Sequence, residues 1–359
     1  MTSTTEQETV LTRRQAGLGR IVLNRPRALN ALTHAMVRGI DAALTAWEHD
    51  EDVRLVVITG AGERGLCAGG DIRAIHADAV GGGTGSLDFW RDEYRLNAHI
   101  ARYPKTYVAV MDGIVMGGGV GVSAHGGLRI VTERSTIAMP ETGIGFVPDV
   151  GGTHLLARAP GECGTHLALT GSAIGPGDAI ACGLADHFIP SHRLDAALEA
   201  LAGRDSGEVV ARFAEPAPGG ELVERRGWID ACYASDSVEE ILERLEADGE
   251  QAAKQAAEHI RAKSPTALKV TLASLRRARE LASLEAVLDQ EYRVSTVALG
   301  TPDLAEGIRA QVIDKDRAPR WSPDTLEAVR PEQVAAFFEP LGARELGLAI
   351  SPSTEEACR

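Results

Sequence analysis

Two carboxylates, Glu141 and Asp149, stand eight residues apart in the stretch AMPETGIGFVPDVGG, and no basic residue accompanies them there. A carboxyl group among small and apolar residues loses hydration when it ionises. Its pKa then rises into the range useful to a general acid or base. Asp149 also has a purely structural reading, as the N-cap of the helix-compatible run THLLARA that follows it. A second kind of chemistry comes from two glycine turns, CAGGD at 67–71 and MGGGVG at 116–121. Each lies between an apolar run that reads as a strand and a segment compatible with a helix. Such a junction aims backbone N–H groups at whatever lies before the helix. If the fold joins the turns, Ala68 and Gly118 can each give one N–H to an oxygen that becomes negative during a reaction. Removing one such donor typically costs about 10²–10³ in rate. The alternative is a pair of glycine corners needed only for close packing.

Other polar residues have plainer readings. Arg25 and Arg27 flank Pro26 at a turn, where a guanidinium suits a phosphate but is equally at home as a solvated loop charge. Glu93 falls on the helix-like run LDFWRDEYRLNAHIARYP, where a glutamate ordinarily belongs to a solvated face. The five cysteines, Cys67, Cys163, Cys182, Cys232 and Cys358, form no CxxC pair. No disulfide framework or zinc site is expected from them, and reduced thiols in the cytoplasm are. Cys67 has apolar neighbours and no histidine placed to activate it, so it is not expected to be a nucleophile. The histidines lack the spacing of metal ligands, and no metal is expected.

The elements that must position these groups alternate between strand and helix. Strands are expected at 16–24, 53–59, 107–111, 128–132 and 136–139, with a short one ending near Pro190. Helices are expected at 28–50, from Ile72, at 87–103, at 120–125, at 153–159 and at 193–203, with a flexible insert at 79–86. The composition turns Gly/Pro-rich at 204–220, and five helices follow it. Residues 351–359 read as frayed. The fold class is α/β, divided into a catalytic core at 10–205 and a helical C-terminal region at 206–359. Aromatics make up only 4% of the chain, so the core must rest on Ala, Val, Leu and Ile. A net charge of −14 excludes general affinity for nucleic acid, while leaving room for a local basic patch on a phosphorylated ligand. No secretory signal and no membrane-spanning run is found.

The segments LNRPRALNAL, GLCAGGDIRAI, RDEYRLN, VMGGGVGVSAHGGLRI, AMPETGIGFVPDVGG and SPTALKVT resemble the crotonase (enoyl-CoA hydratase/isomerase) superfamily, over residues 15–320 or so. The acid pattern resembles its 3-hydroxyisobutyryl-CoA hydrolase branch. The resemblance implies stacked ββα turns with CoA lying across them and helices at the C-terminus. It implies an oxyanion hole made by the N–H groups of Ala68 and Gly118, with Gly69, Gly70, Asp71 and Gly117 lining the substrate. Glu141 and Asp149 become the two acids of the hydrolase site, and Glu93 a substrate contact. Arg25, Arg27 and Ala28 would touch the phosphates or adenine of CoA. One departure matters: hydratases of this superfamily carry a second glutamate where this chain has Gly121. The expected reaction is hydrolysis of a short 3-hydroxyacyl-CoA in valine breakdown, with CoA as part of the substrate and no further cofactor. The alternatives are an enoyl-CoA hydratase or isomerase on the same scaffold, and a non-catalytic acyl-CoA-binding protein. A homo-oligomer is compatible with the resemblance.

Overall fold

The apolar runs LVVI at 55–58 and YVAVM at 107–111 lack the polar alternation of a half-exposed strand, and both are buried throughout. Strands of that kind belong in the middle of a parallel sheet covered on two faces. The computed structural model describes residues 8–349; Cys358 and the expected frayed tail lie outside the described residues. Among the described residues nine strands are formed: β1 (Val10–Gln15), β2 (Leu18–Leu23), β3 (Leu55–Gly60), β4 (Gly65–Cys67), β5 (Thr106–Met111), β6 (Ile114–Met116), β7 (Leu128–Val131), β8 (Thr136–Ala138) and β9 (His187–Phe188). They make two sheets, one ordered β1-β2-β3-β5-β7-β9 and a smaller one ordered β4-β6-β8. Only β1 runs antiparallel to its neighbour in the larger sheet.

That order contains a repeat. Each long strand, β3, β5 and β7, is followed at once by a short one, β4, β6 and β8. Every such pair advances both sheets by one place. Because β4 and β6 are parallel neighbours, the residues that leave their C-terminal ends stack beside one another. Those residues are the two glycine turns. The topology therefore joins segments about fifty positions apart, with no side chain needed to draw them together.

The chain divides into two compact units built from interleaved segments. The first takes the described part of Met1–Asp71 with His99–Ile137 and Ile174–Gly220, and holds the strands of both sheets up to Ile137. On one face of its large sheet, Leu55, Val57, Val108, Val110 and Ile130 pack against Leu194, Leu201, Val209 and Phe213 from the helices Ser191–Ala200 and Ser206–Phe213. The helix His34–Glu48 packs on β1 and β2. Its Trp47 ring lies so near Gly19 that a methyl group there would come within 2.5 Å. The second unit takes Ile72–Ala98, Ala138–Ala173 and the described part of Glu221–Arg359. There the helix Pro265–Glu280 packs on Gly152–Ala157 and Cys163–Thr170. The last change of unit falls at the end of the Gly/Pro-rich stretch.

Several local expectations are revised. VLTRRQ was not expected to be a strand, since most of it is exposed. It forms an edge, because Ala16 and Gly17 adopt φ of 51° and 78° and close a two-residue hairpin onto β2. The insert expected at 79–86 shrinks to a few residues. The helix Ile72–Gly81 runs through its first part, and the next begins at Gly85, where the Asp78 carboxylate accepts from Ser86 N at 2.6 Å. The helix expected at 120–125 is the single turn Gly118–Gly121. Helices Ser206–Phe213 and Glu221–Tyr233 form inside and just after the stretch whose glycines and prolines had suggested a loop.

One side chain outside the glycine motifs fixes the loop that precedes them. Asn30 is 1% exposed and adopts φ of 56° directly after Leu29 at 52°. Its side-chain oxygen accepts from Arg25 N at 3.0 Å, and its amide donates to Ala61 O at 3.0 Å and Gly65 O at 3.1 Å. Replacing Asn30 with Ala leaves the part-buried carbonyls of Ala61 and Gly65 without this donor and removes a residue type that tolerates the left-handed region. We expect a loss of about 2–4 kcal/mol in denaturant unfolding. A change below about 0.5 kcal/mol would contradict this role.

Candidate active site

In the first unit the two glycine turns meet as the sheet order requires. A methyl group placed on Gly69 would stand 3.5 Å from Met116 O and 3.9 Å from Gly118 N. One on Gly119 would stand 2.4 Å from Cys67 O, which is backbone and cannot swing away. Gly69 has φ of 107° and Gly117 has φ of 49°, so both turns take conformations that suit glycine alone. The expected donor pair is corrected at one member. Ala68 N–H already donates to Leu29 O at 3.0 Å, in the loop that Asn30 holds, and is not available to an acyl oxygen. Two residues on, the pairing of the chain with Leu32 uses Gly69 O and Asp71 N and passes over Gly70. Among the described residues, nothing accepts from the N–H of Gly70 or of Gly118. Those two are the open donors of the joined turns.

Arg25 is occupied differently from the expectation. Its guanidinium donates to Ala31 O at 2.6 Å and to the Asp71 carboxylate at 3.1 Å, so it braces the loop against the turn. The same contact takes up the carboxylate of Asp71, which the resemblance had placed against the substrate. Arg27 and Ala28 are exposed.

The acids belong to the second unit. Glu141 opens the 3-10 turn Glu141–Ile144 and is 6% exposed. The helix Pro302–Ile308 fixes that turn from outside: a methyl on Gly145 would meet Asp303 O at 2.3 Å, and one on Gly307 would meet Ile144 at 2.3 Å. Asp149 does not cap the helix after it, which starts from Gly151 without a side-chain cap. Instead its Oδ2 accepts from the Tyr94 hydroxyl at 2.7 Å, and that hydroxyl lies 2.7 Å from Ser295 Oγ. The structural reading of Asp149 is thereby removed.

Glu93 is 2% exposed, against the solvated face expected of a glutamate on a helix. One helical turn further on, Asn97 is fully buried. Glu93 Oε1, both amide atoms of Asn97 and Glu141 Oε2 have no hydrogen-bond partner among the described residues. Buried polar atoms are rarely left so in a finished protein; Thr271 Oγ1 and Ser274 Oγ of the same unit share the condition, so it is the two carboxyl oxygens, on groups that both feel Asp149, that mark a candidate ligand site.

Four buried carboxyls, Glu93, Glu141, Asp149 and Glu291, gather in this unit without a cation paired to any of them among the described residues. Burial pushes the carboxyl of Glu141 well above its usual range, and the neighbouring Asp149 adds to the shift. Glu93 is raised for the same two reasons. Burial carries Asp149 up to about 7, opposed by the Tyr94 hydroxyl and its own backbone. Glu291 is pushed up to about 8 by burial, against the donors of Thr153 and Gly151. Glu93, Glu141 and Asp149 therefore hold protons further towards neutral pH than free carboxyls do, whereas both oxygens of Glu291 face N–H and O–H donors and act as acceptors. The sequence reading missed Asn97, Glu291 and Ser295. Glu291 and Ser295 lie on the helix Leu284–Ala298, whose buried face mixes Asp289, Gln290, Glu291 and Ser295 with Leu288 and Val294. A face so mixed has no periodic signature.

The enoyl-CoA hydratase/isomerase family matches residues 18–338. A curated relative from Rattus norvegicus, "3-hydroxyisobutyryl-CoA hydrolase, mitochondrial", is 42% identical over 96% of this chain and 92% of its own length. A solved structure described as a carnitinyl-CoA dehydratase from Mycobacterium thermoresistibile is 51% identical, with a TM-score of 0.93 over 96% of this chain and 100% of that one. Another, described as an enoyl-CoA hydratase from Rhodobacter sphaeroides, is 49% identical, with a TM-score of 0.89 over 95% and 100%. The cytoplasmic location expected from cysteine usage does not stand, since the curated relative is named as mitochondrial. Buried, scattered cysteines indicate a reducing compartment and cannot choose among several. Among the described residues, no helix is long and apolar enough to cross a membrane.

Proposed function

Because the chain belongs to the enoyl-CoA hydratase/isomerase family, we propose that it hydrolyses a short 3-hydroxyacyl-CoA thioester, foremost 3-hydroxyisobutyryl-CoA, to the free acid and CoA. The observation that carries this reading is Asp149: buried, bound by Tyr94, relieved of any capping duty and electrostatically coupled to Glu141. Position 121, where a hydratase keeps its second carboxyl, is a buried glycine. The curated relative's name supports the same reaction, and on that name the place of the reaction is valine breakdown.

In this reading the thioester oxygen takes the N–H groups of Gly118 and, in place of Ala68, Gly70. Negative charge grows on that oxygen as the carbonyl carbon becomes tetrahedral, and fixed donors stabilise it without reorganising. Glu141 gives up its proton within the acid set and, once ionised, acts on the carbonyl carbon, either directly or through a water that it deprotonates. The tetrahedral centre collapses with cleavage of the C–S bond, and the CoA thiolate leaves with a proton supplied through Asp149; where Glu141 has attacked directly, water then cleaves the mixed anhydride, giving the free acid and restoring Glu141. Glu93 and Asn97 meet the acyl group, where a hydroxyl can both donate and accept. Arg27 meets phosphate, and Arg25 shapes the loop that carries it. CoA enters as part of the substrate and no further cofactor is used.

A hydratase or dehydratase reading has its own support in the names of the two solved structures. Assay of 3-hydroxyisobutyryl-CoA and crotonyl-CoA side by side separates the two. The proposal expects thiol release from the first and at least about 10²-fold less conversion of the second, by thiol release or by loss of enoyl absorbance. Rapid hydration of crotonyl-CoA with no thiol released from the hydroxy substrate would refute it.

A further inference from the structure

We propose that Glu291 is a positioning residue for Asp149, acting on the backbone of the turn at 149–153; this rests on the reading that Asp149 takes part in hydrolysis. Val150 has φ of 53° and Gly151 has φ of 78°. A β-branched residue in the left-handed region is a strained choice, costing about 1–3 kcal/mol, and it persists only where the surroundings enforce it. Here the enforcement is visible. Asp149 O accepts from Gly152 N at 2.6 Å and tightens the turn. The neighbouring donors are then collected by one carboxylate: Gly151 N reaches Glu291 Oε2 at 2.6 Å, while Thr153 N and Thr153 Oγ1 reach Oε1 at 3.0 and 2.5 Å.

All three contacts donate to Glu291, so both of its oxygens are committed to the turn. The group is 1% exposed and no cation pairs with it among the described residues. One helical turn further along the same helix, Ser295 meets the Tyr94 hydroxyl that binds the carboxylate of Asp149. A single helix face thus holds Asp149 at two points, its main chain through Glu291 and its side chain through Tyr94. Nothing in the core packing of this helix requires a carboxylate at 291. A buried one without a counter-ion is a poor choice for stability alone, and the turn it shapes accounts for its presence.

The test uses the full chain and thiol release from 3-hydroxyisobutyryl-CoA. Glu291→Gln keeps the shape but places an amide N–H₂ against one of the backbone donors, so the turn loses its two-sided grip. Expected are a kcat lower by about 10- to 10²-fold and a KM within about threefold of wild type. Combined with Asp149→Asn, Glu291→Gln should add no further loss beyond about twofold, because a residue acting only through Asp149 has nothing left to position. If Glu291→Gln does not fold, Thr153→Ser and Thr153→Val replace it. The first keeps the hydroxyl donor and should stay near wild type. The second removes it and should lower kcat several-fold, again without a further effect beside Asp149→Asn. Losses that multiply in the double variant, or a normal kcat in Glu291→Gln, overturn the positioning role while the hydrolase reading stands. Full activity in Asp149→Asn alone overturns the reading beneath it.

Discussion

Replacing Glu141 with Gln should lower kcat for thiol release by about 10³-fold or more, with KM within about threefold. The size follows from what the side chain is asked to do. Acting on a carbonyl carbon requires an ionised carboxylate, and a buried one is a strong base for its type because burial disfavours the charge it carries. Glutamine has neither the charge nor the basicity, yet it matches the protonated acid in shape and hydrogen-bonding reach. The fold should therefore survive, with an unchanged helical spectrum separating lost chemistry from lost structure. Because KM reports binding to groups elsewhere on the CoA thioester, a large rise in KM at constant kcat would place Glu141 in binding and not in chemistry.

Asp149→Asn should lower kcat by about 10²-fold and, in the opposite direction, raise stability above neutral pH. The amide oxygen can still accept from Tyr94, so the local hydrogen bonding is retained. The stability effect follows from linkage. Burial lets the carboxyl hold its proton up to about 7 in the folded chain, against 3.8 for a free aspartate. Its protonated form therefore contributes stability that is fully present below about pH 4 and is lost as pH rises through about 7. The full difference has an upper bound of about 4 kcal/mol. Wild type and variant should melt together near pH 4, and the variant should melt a few degrees higher at pH 8. A variant that melts lower at every pH would mean that Asp149 is a stabilising element and not a strained functional one.

The parts legible in the sequence were those with local causes. The apolar runs at 55–58 and 107–111 announced buried strands, and the glycine turns and the two unaccompanied acids announced backbone that packs closely and carboxyls that are buried. What was not legible depended on partners far along the chain. Ala68 was chosen as a donor because its turn pointed there, but its N–H is taken by Leu29, whose conformation is set by Asn30 some forty residues earlier. Glu93 looked solvent-facing because a glutamate on a helix ordinarily is, and helical spacing says which residues share a face, not what covers that face. Glu291 lies more than a hundred residues beyond the turn it binds, on a helix face with no clean polarity. The hairpin at Ala16-Gly17 was missed for a different reason: an exposed edge strand carries no hydrophobic alternation to reveal it.

The central claim is that the two acids serve carbonyl chemistry and not the addition or removal of water across a carbon–carbon bond. Product analysis of a single substrate addresses it most directly, because 3-hydroxyisobutyryl-CoA can follow either course. Hydrolysis gives the hydroxy acid and free thiol, whereas dehydration gives 2-methylacrylyl-CoA with the thioester intact. The account predicts one thiol released for each substrate molecule consumed and no enoyl product. Accumulation of 2-methylacrylyl-CoA without free thiol would contradict it.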